Sequence, residues 1–250
     1  KDLKALVPQL KNFDQPLRAN GKVSFYNNNI KLHGFKTEYR KNTLVKLNAE
    51  INGINNAEDT YIFTNIQQIS SKTQDIEELI SDLTQKPFVL PKEVKNLGQF
   101  KFNGNIVGFF SDIVAFGTLK TDAGEINTDL KINYNIKKND WKFNGKIATE
   151  DVNLSKILNK STDFDDIHLD VIFDGQKLAN SPLSGHVHGV VSSFDYKQYE
   201  FDNIVLDSKF SEENINAEIK YKDPSNGSIE ILVDINKSKD ATYNMNLNGK

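Results

Sequence analysis

The chain of 250 residues carries 31 lysine and arginine side chains against 34 aspartate and glutamate side chains, a formal net charge of −3, and it contains no cysteine. Charges of both signs are interspersed, which excludes the basic surface that a nucleic acid partner requires, and the missing cysteines exclude disulfides, thiolate metal sites and cysteine nucleophiles. No apolar run approaches the ~20 residues that a membrane-spanning helix needs.

Alternation of apolar and polar residues is the dominant pattern along the chain. In 125-EINTDLKINYNI-136, Ile126, Leu130 and Ile132 share one side of an extended strand, and the intervening residues are polar. Successive side chains of a strand point to opposite faces, so the pattern is typical of an antiparallel sheet with one apolar and one wet face. The same pattern predicts strands near 21–33, 43–54, 59–69, 98–108, 112–121, 125–136, 141–149, 166–173, 184–192, 200–210, 213–221, 227–235 and 241–248.

One segment follows a helical period instead. Ile76, Leu79, Ile80 and Leu83 recur at i, i+3, i+4 and i+7, which predicts a short amphipathic helix near 74–84. A helix with one apolar side needs a surface to cover. We therefore expect it to lie on an open edge or mouth of the sheet.

The ends of this helix also have sequence signals. The stretch 71-SKTQ-74 fits a capping box, and Pro87 ends the helical pattern. We expect 86–98 to be extended and 152–159 to contain one further helical turn.

A short signature of the form hydrophobic–Asn/Ser–Gly–x–β-branched recurs along the chain. It occurs at 102–106, 143–147 and 183–187, where Gly104, Gly145 and Gly185 stand about 40 residues apart, a period within the range of repeat architectures. Glycine inside a strand is tolerated where the backbone bends or approaches another group closely. The repeat therefore predicts a regularly bent sheet.

Two architectures satisfy these patterns equally. A bent sheet with one apolar face forms either a closed sandwich filled by side chains or an open trough with an exposed apolar lining. We treat 1–250 as a single β-repeat segment of a longer protein, with sub-units at 1–70, 71–160 and 161–250. Its start at Lys1 and its alternating last residues support this expectation.

Catalytic and metal-binding patterns are not expected to carry the function. No G-x-S-x-G, P-loop or dinucleotide fingerprint occurs. His186 and His188 project from one side of a strand, but no third ligand is obvious. The acidic group 163-DFDD-166 with Asp170 lacks the spacing of a calcium loop. We expect no enzyme activity, no cofactor and no metal. Phe109, Phe110 and Phe116 could form a lipid-contacting patch, but core packing is the commoner role of such residues, and we expect it here.

One region resembles a known family. The runs 97–134 and 141–158 are similar to the repeated units of the TamB and AsmA-like proteins of the Gram-negative envelope, in the form found in Bacteroidetes. Such units contain a glycine-bearing strand, a strand ending in a Thr-x-x-Gly turn, which 119–124 supplies, and an alternating strand. Val152 and Ser155 depart from the expected aromatic and glycine. The closing segment of the unit is supplied by Gly145, Thr149, Val152, Leu154, Ile157 and Leu158.

The resemblance implies a fold, a location and a function. The expected fold is mainly all-β: an elongated, curved, mostly antiparallel sheet folded into a taco-like apolar trough, with one helix near 74–84. The expected location is the periplasm, as part of a protein anchored in the inner membrane outside this chain. The expected function is to bind or conduct phospholipid acyl chains between the two membranes, or to support outer-membrane protein assembly with a partner protein.

The alternating strands also name the residues of the apolar interior. The alternative function, a closed β-sandwich that acts as an adhesion or carbohydrate-binding surface module, requires exposed aromatics on the wet face, whereas Trp141 is in phase with Phe143 on the apolar face. The expected lining residues of a lipid groove are Ile126, Leu130, Ile132, Tyr134, Phe143, Ile147, Ile167, Leu169, Val171, Ile215, Ile219, Ile229, Ile231 and Val233.

Overall fold

The computed structural model describes residues 17–56, 58–84, 87–135, 137–159, 164–197, 199–223, 227–237 and 243–249. The strands are β1 (Leu17–Tyr26), β2 (Asn29–Tyr39), β3 (Thr43–Asn52), β4 (Tyr61–Lys72), β5 (Gln99–Phe109), β6 (Asp112–Thr121), β7 (Gly124–Asn135), β8 (Asp140–Glu150), β9 (Val152–Asn153), β10 (Phe164–Lys177), β11 (Ser184–Tyr196), β12 (Tyr199–Ser211), β13 (Asn214–Asp223), β14 (Gly227–Lys237) and β15 (Tyr243–Gly249). The helices are α1 (Thr73–Thr84), α2 (Lys92–Lys95) and α3 (Leu154–Leu158).

All of these strands belong to one sheet. Fourteen of them follow one another in chain order, each antiparallel to the next, and the two-residue β9 pairs with β10 beside this path. The sheet is open and curled, so the prediction of a mainly β, curved, antiparallel architecture is confirmed. The pairing of β4 with β5 continues through Ser70 and Ser71, and β8 pairs with β10, so the expected sub-units share one sheet. No helix in the described part of the chain is long and apolar enough to cross a membrane.

Two local predictions were wrong. The single strand expected near 21–33 is a hairpin of β1 and β2, because Asn27 and Asn28 adopt left-handed conformations with φ of 44° and 65°, which suits a tight turn. The segment expected to be extended at 86–98 contains α2. The helices expected near 74–84 and 152–159 are present as α1 and α3.

The two faces of the sheet differ in burial. We define the inner face as the one that carries Ile126 and Ile132, and the outer face as the opposite one. The fully buried strand residues, which include Ala49, Ile66 and Val191, all lie on the inner face by register. Since a curled sheet crowds the side chains on its concave side, the inner face is the protected one.

The two long rims of the sheet also differ. The connections β2–β3, β4–β5, β6–β7 and β8–β10 form one rim. We call it the helical rim, because α1, α2 and α3 lie there. We call hairpin rim the opposite one, formed by the connections β1–β2, β3–β4, β5–β6 and β7–β8. The one-sided α1 thus covers an edge of the sheet, as its pattern predicts.

Tyr39 anchors α1 to the helical rim. Its side chain is 1% exposed, and its hydroxyl donates to Asp82 Oδ2 over 2.8 Å. Arg40 forms an ion pair with Glu78 on the same helix. The expected capping box is not observed, since the Ser71 hydroxyl instead bonds the Thr43 hydroxyl across 2.6 Å in a buried position. Helix docking therefore depends on strand residues.

The α3 turn closes the next section of the same rim. Asn153 caps it by accepting from the Lys156 amide over 3.0 Å, and the Asn96 side chain donates to the Ile157 carbonyl over 2.7 Å. Val152, at the start of this connection, is 3% exposed. These contacts join the β4–β5 and β8–β10 connections into one covered rim.

The wild type is expected to lose stability at alkaline pH because of Tyr39, and replacing Tyr39 with phenylalanine is expected to abolish that loss. Burial, followed by the hydrogen bond to Asp82, raises the pKa of the Tyr39 phenol above its ordinary value of about 10. The folded state therefore holds this proton more tightly, so the added stability is complete below about pH 10 and disappears as the pH rises through the folded-state pKa.

Urea unfolding of the wild type and of Tyr39→Phe at about pH 8 and about pH 11 measures this effect. The wild type should be more stable by about 1–2 kcal/mol at the lower pH, because the variant lacks the hydrogen bond that the Tyr39 hydroxyl donates to Asp82. That advantage should shrink at the higher pH. Equal pH dependence in both proteins would contradict the assignment.

A candidate apolar groove

The register places all fourteen expected lining residues on the inner face. One row shows the continuity: Ile147 pairs with Val171, and Val171 reaches Ile219 through the paired residues Gly189 and Leu206. Because directly paired residues point to the same face, this row links β8 to β13. The lining residues that share the face are Ile126, Leu130, Ile132, Tyr134, Phe143, Ile147, Ile167, Leu169, Val171, Ile215, Ile219, Ile229, Ile231 and Val233.

These residues form parallel rows that cross the strands. Ile132, for example, lies between Ile113 of β6 and Phe143 of β8, and Ile219 lies between Leu206 of β12 and Ile231 of β14. Neighbouring strands are about 4.8 Å apart, so the path of fourteen strands spans about 60 Å. The apolar rows therefore run along the long axis of the sheet.

Burial shows that the rows do not fill a core. Of the fourteen lining residues, Val171 alone is fully buried, at 6% exposure. Ile215 and Ile229 are 38% and 49% exposed, and the others are half-buried. In a closed sandwich two inner faces interdigitate and bury such residues. The single open sheet leaves its apolar face accessible, so the closed sandwich is not the observed architecture.

Charged groups are segregated onto the outer face. From β2 to β8, within the described residues, the register places no charged side chain on the inner face. Outer-face ion pairs cross the strands instead, as between Lys146 and Asp170 at 2.6 Å. The hydrogen bond from Lys120 to Glu125 raises the pKa of the Lys120 ammonium. Exposed ion pairs of this kind contribute little stability. Their positions show that the outer face is the one in contact with solvent.

Aromatic rings lie over the glycines of the inner face. The Cζ atom of Phe102 comes within 2.9 Å of the position that a Cβ would take on Gly104, and within 2.8 Å of the same position on Gly117. The ring of Phe143 contacts Gly175 in the same way. The recurring Phe-Asn-Gly signature therefore contributes both a phenylalanine ring and a glycine that leaves room for such a ring.

The repeated glycines themselves lie in regular pairing. Gly104 and Gly145 pair with Gly117 and Leu130 with no register shift at either position. A Cβ on Gly145 would meet the Asp129 carbonyl oxygen and the Leu130 Cα. Close approach of neighbouring backbones, in addition to any bending, is thus what requires glycine there.

Trp141 lies at the hairpin-rim side of the groove, in β8 near the middle of the strand order. It pairs with Tyr134 of β7, and the two rings stack with centroids 4.1 Å apart. The indole is 41% exposed, and it lies on the inner face in phase with Phe143, as the sequence predicts. The single tryptophan of the chain is therefore a spectroscopic reporter of this face.

The outer face carries exposed aromatic residues that the sequence analysis did not predict on this face. Phe63, Phe109 and Phe116 point outward by register and are 47%, 49% and 44% exposed, and Phe110 in the adjoining turn is 47% exposed. The prediction that Phe109, Phe110 and Phe116 pack in a core was wrong, because no second layer of described residues covers the outer face of the open sheet.

His186 and His188 lie on the outer face, and His186 contacts an acidic side chain. His186 Nε2 lies 3.0 Å from Asp207 Oδ1, and its ring stacks on His188 with centroids 5.0 Å apart. Among the described residues no group of three or more histidine and acidic side chains is arranged to hold a metal ion. The acidic group at 163–166 falls partly outside the described residues, since Asp163 is not among them.

Comparison with protein-family models, with curated proteins and with solved structures finds no match.

Proposed function

We propose that this chain is a non-catalytic periplasmic segment of a TamB/AsmA-like envelope protein, whose inner face binds or conducts phospholipid acyl chains between the inner and outer membranes. Support for outer-membrane protein assembly is a second role of the same kind of protein. The observation that carries the proposal is the open inner face, which bears rows of apolar side chains from β2 to β14 and no charged side chain from β2 to β8 among the described residues.

The energetics of an acyl chain fit such a surface. Each methylene that leaves water gains about 0.8 kcal/mol, so a chain of some fifteen carbons gains on the order of 10 kcal/mol when it is fully covered. The half-buried rows supply apolar contact without a specific polar site. A groove of this kind recognises the alkyl chain by shape and accepts many positions along its length.

Segregation of charge supports the same conclusion. An ionised side chain among the inner rows would have to be desolvated by each passing alkyl chain, which is costly. Between β2 and β8 the described lysines and acids point outward instead. A surface selected only for solubility has no physical reason to keep one half-exposed face free of charge.

The local resemblance supports the family assignment. The stretch 97–158 contains glycine-bearing strands, a hairpin closed at 122–123 and a closing helical turn, in the order that TamB and AsmA-like units show. Thr149 has a structural role in this unit. Its hydroxyl donates to the Ile167 carbonyl and accepts from the Leu169 amide, each over 3.0 Å.

A carbohydrate-binding or adhesion module is the second candidate. The exposed stack of Trp141 on Tyr134 and the outer-face rings of Phe63 and Phe116 favour it, because sugar rings pack on accessible aromatic faces. This candidate places the ligand on a local aromatic platform, either the inner-face stack or the outer-face rings. The lipid candidate places the ligand along the whole inner face.

Energy transfer from Trp141 to a polyene fatty acid tests the proposal. The probe should bind in a saturable manner, transfer should increase with occupancy, and unlabelled phosphatidylcholine dispersed below its vesicle-forming limit should displace it. Moderate salt should change the affinity little, because the contact is apolar.

Neutral oligosaccharides serve as the comparison ligand. A change of Trp141 fluorescence with a sugar, together with no binding of the fatty acid, would reject the lipid function and favour the surface module. Solvent extraction of the purified protein provides a second measurement, and its extract should contain phospholipid. Absence of both probe binding and extractable lipid would overturn the proposal.

A further inference from the structure

The hairpin rim of the first eight strands carries aromatic side chains at each of its four connections. The β1–β2, β3–β4, β5–β6 and β7–β8 turns are each flanked by at least one ring at the end of an adjoining strand. These rim aromatics are Phe25, Tyr26, Tyr61, Phe109, Phe110, Tyr134 and Trp141.

Most of these rings are accessible. Phe25 and Tyr26 are 66% and 74% exposed, and Phe109, Phe110 and Trp141 are between 41% and 49% exposed. Scattered exposed apolar residues are normal on a protein surface, whereas a contiguous apolar set marks an interaction site. Connections on one rim recur every second strand, about 10 Å apart, so the rings form a continuous ridge.

The rings project to both sides of the rim. Tyr61 and Phe109 are on the outer face and pack edge to face with centroids 5.3 Å apart. Tyr134 and Trp141 stack on the inner face. A ridge that is apolar on both sides cannot be covered by the sheet itself. It is suited to insertion into a surface that surrounds it.

The charges at this rim largely neutralise one another. Lys137 pairs with Glu58 at 3.2 Å, and Lys131 pairs with Asp112 at 3.3 Å. The remaining turn residues include several asparagines, such as Asn27 and Asn28. This balance does not complement a strongly charged partner. It does suit a zwitterionic surface, where amides and phenols bond to head groups and rings enter the acyl boundary.

Among the described residues, the opposite rim carries fewer exposed rings in the same section of the sheet: Phe88 is 37% exposed, and the other exposed apolar residues there are Val89, Val94 and Leu158. There Tyr39 is buried at 1% exposure beneath α1, and α2 and α3 cover the following connections. Helices therefore lie along one side of the groove, and most of the exposed rings lie along the other. An alkyl chain that moves from a bilayer into the groove by the shortest path crosses the aromatic side.

We infer that the hairpin rim of β1 to β8 docks on the surface of a zwitterionic phospholipid bilayer and presents the groove to it sideways. The inference deepens the proposed lipid function by naming the side on which acyl chains enter, and it rests on that function for its meaning. Docking itself depends only on the rim aromatics. Their insertion gains apolar transfer free energy without requiring anionic lipid.

Co-sedimentation with neutral phosphatidylcholine vesicles tests the inference. The triple variant Tyr26→Ser, Phe109→Ser, Phe110→Ser removes three exposed rings that do not lie on the inner face. Vesicle binding should weaken about tenfold or more, while the polyene fatty acid should still bind and accept energy from Trp141. Binding of the wild type should change little when salt or anionic lipid is added.

The matched control is Ile172→Ser, Val190→Ser, Val205→Ser. These outer-face residues are 50%, 37% and 48% exposed and lie on β10, β11 and β12, away from the rim. This control should bind vesicles like the wild type. Equal loss in both triple variants, vesicle binding that survives the rim changes, or a wild type that does not bind vesicles would each overturn the inference.

The two hypotheses fail in distinguishable ways. Vesicle binding that depends on the rim, without fatty acid binding, would reject the groove function and keep the docking surface. Fatty acid binding without vesicle binding would do the reverse. If the triple variant unfolds, Phe110→Ser alone decides the question, because Phe110 lies in a turn outside the strands and should lose part of the vesicle affinity with an unchanged unfolding midpoint.

Discussion

Replacing Ile215 and Ile229 together with arginine is expected to weaken acyl-chain binding by about 30-fold or more while the sheet stays folded. Both side chains lie on the inner face, in β13 and β14, and they are 38% and 49% exposed. Arginine can keep its guanidinium in water at such positions, so the fold tolerates it. An alkyl chain, however, would have to displace that water.

The size of the effect follows from apolar area. Each partly exposed isoleucine offers roughly 1 kcal/mol of contact to a ligand, and the two arginines add the cost of desolvation. Titration with the polyene fatty acid measures the loss of affinity. Urea unfolding followed by Trp141 fluorescence measures whether the fold persists.

The control places the same charges on the other face. Asn216 and Asn236 lie on the outer face of the same two strands, and the Asn216 amide already donates to Asp234 over 2.6 Å. The variant Asn216→Arg, Asn236→Arg should bind the fatty acid like the wild type. Equal affinities in the inner-face and outer-face variants would show that the inner face is not the ligand surface.

Gly145→Ala is expected to destabilise the sheet by about 2–3 kcal/mol. Inside a strand, a protein with alanine is normally more stable than the same protein with glycine by about 0.5–1 kcal/mol, so the expected change has the opposite sign. The added Cβ would meet the Asp129 carbonyl oxygen and come within 3.0 Å of the Leu130 Cα. Both are backbone atoms of β7 and are held by the ladder. The methyl group can be accommodated only if two strands separate.

Asn144→Ala provides the matched control for this change. Asn144 is the exposed neighbour on the outer face of β8, where a Cβ is already present. Its substitution should change stability by less than about 0.5 kcal/mol. Urea unfolding of both variants decides the matter, and a Gly145→Ala protein as stable as the wild type would show that close backbone approach does not select this glycine.

Local geometry explains why the inner face was predictable. The direction of a strand side chain depends only on its position in an alternating series. Ile132 and Leu130 could therefore be assigned to one face before any pairing was known, and the observed register joins them to Phe143 and Gly145 on that face. The helix at 73–84 was predictable for the same reason, since its period differs from that of the strands.

Contacts between distant residues explain what was missed. The Ser71 hydroxyl fits a helix cap by spacing, yet it bonds Thr43, which is 28 residues away. Phe109 and Phe116 are hydrophobic residues of the kind that usually pack in cores, but in the described part of the chain no second layer covers the outer face. Neither outcome is encoded in a short window of sequence, because each depends on which other strand or layer is present.

The sequence alone determined the period of each segment, and with it the class of the fold, the single amphipathic helix and the membership of the apolar face. Only the tertiary structure decided that this face stays open, because a closed sandwich and an open trough require the same alternation. It also decided that the rings near four separate turns form one ridge. Strand register and antiparallel order bring those turns together, and neither is a property of any single strand.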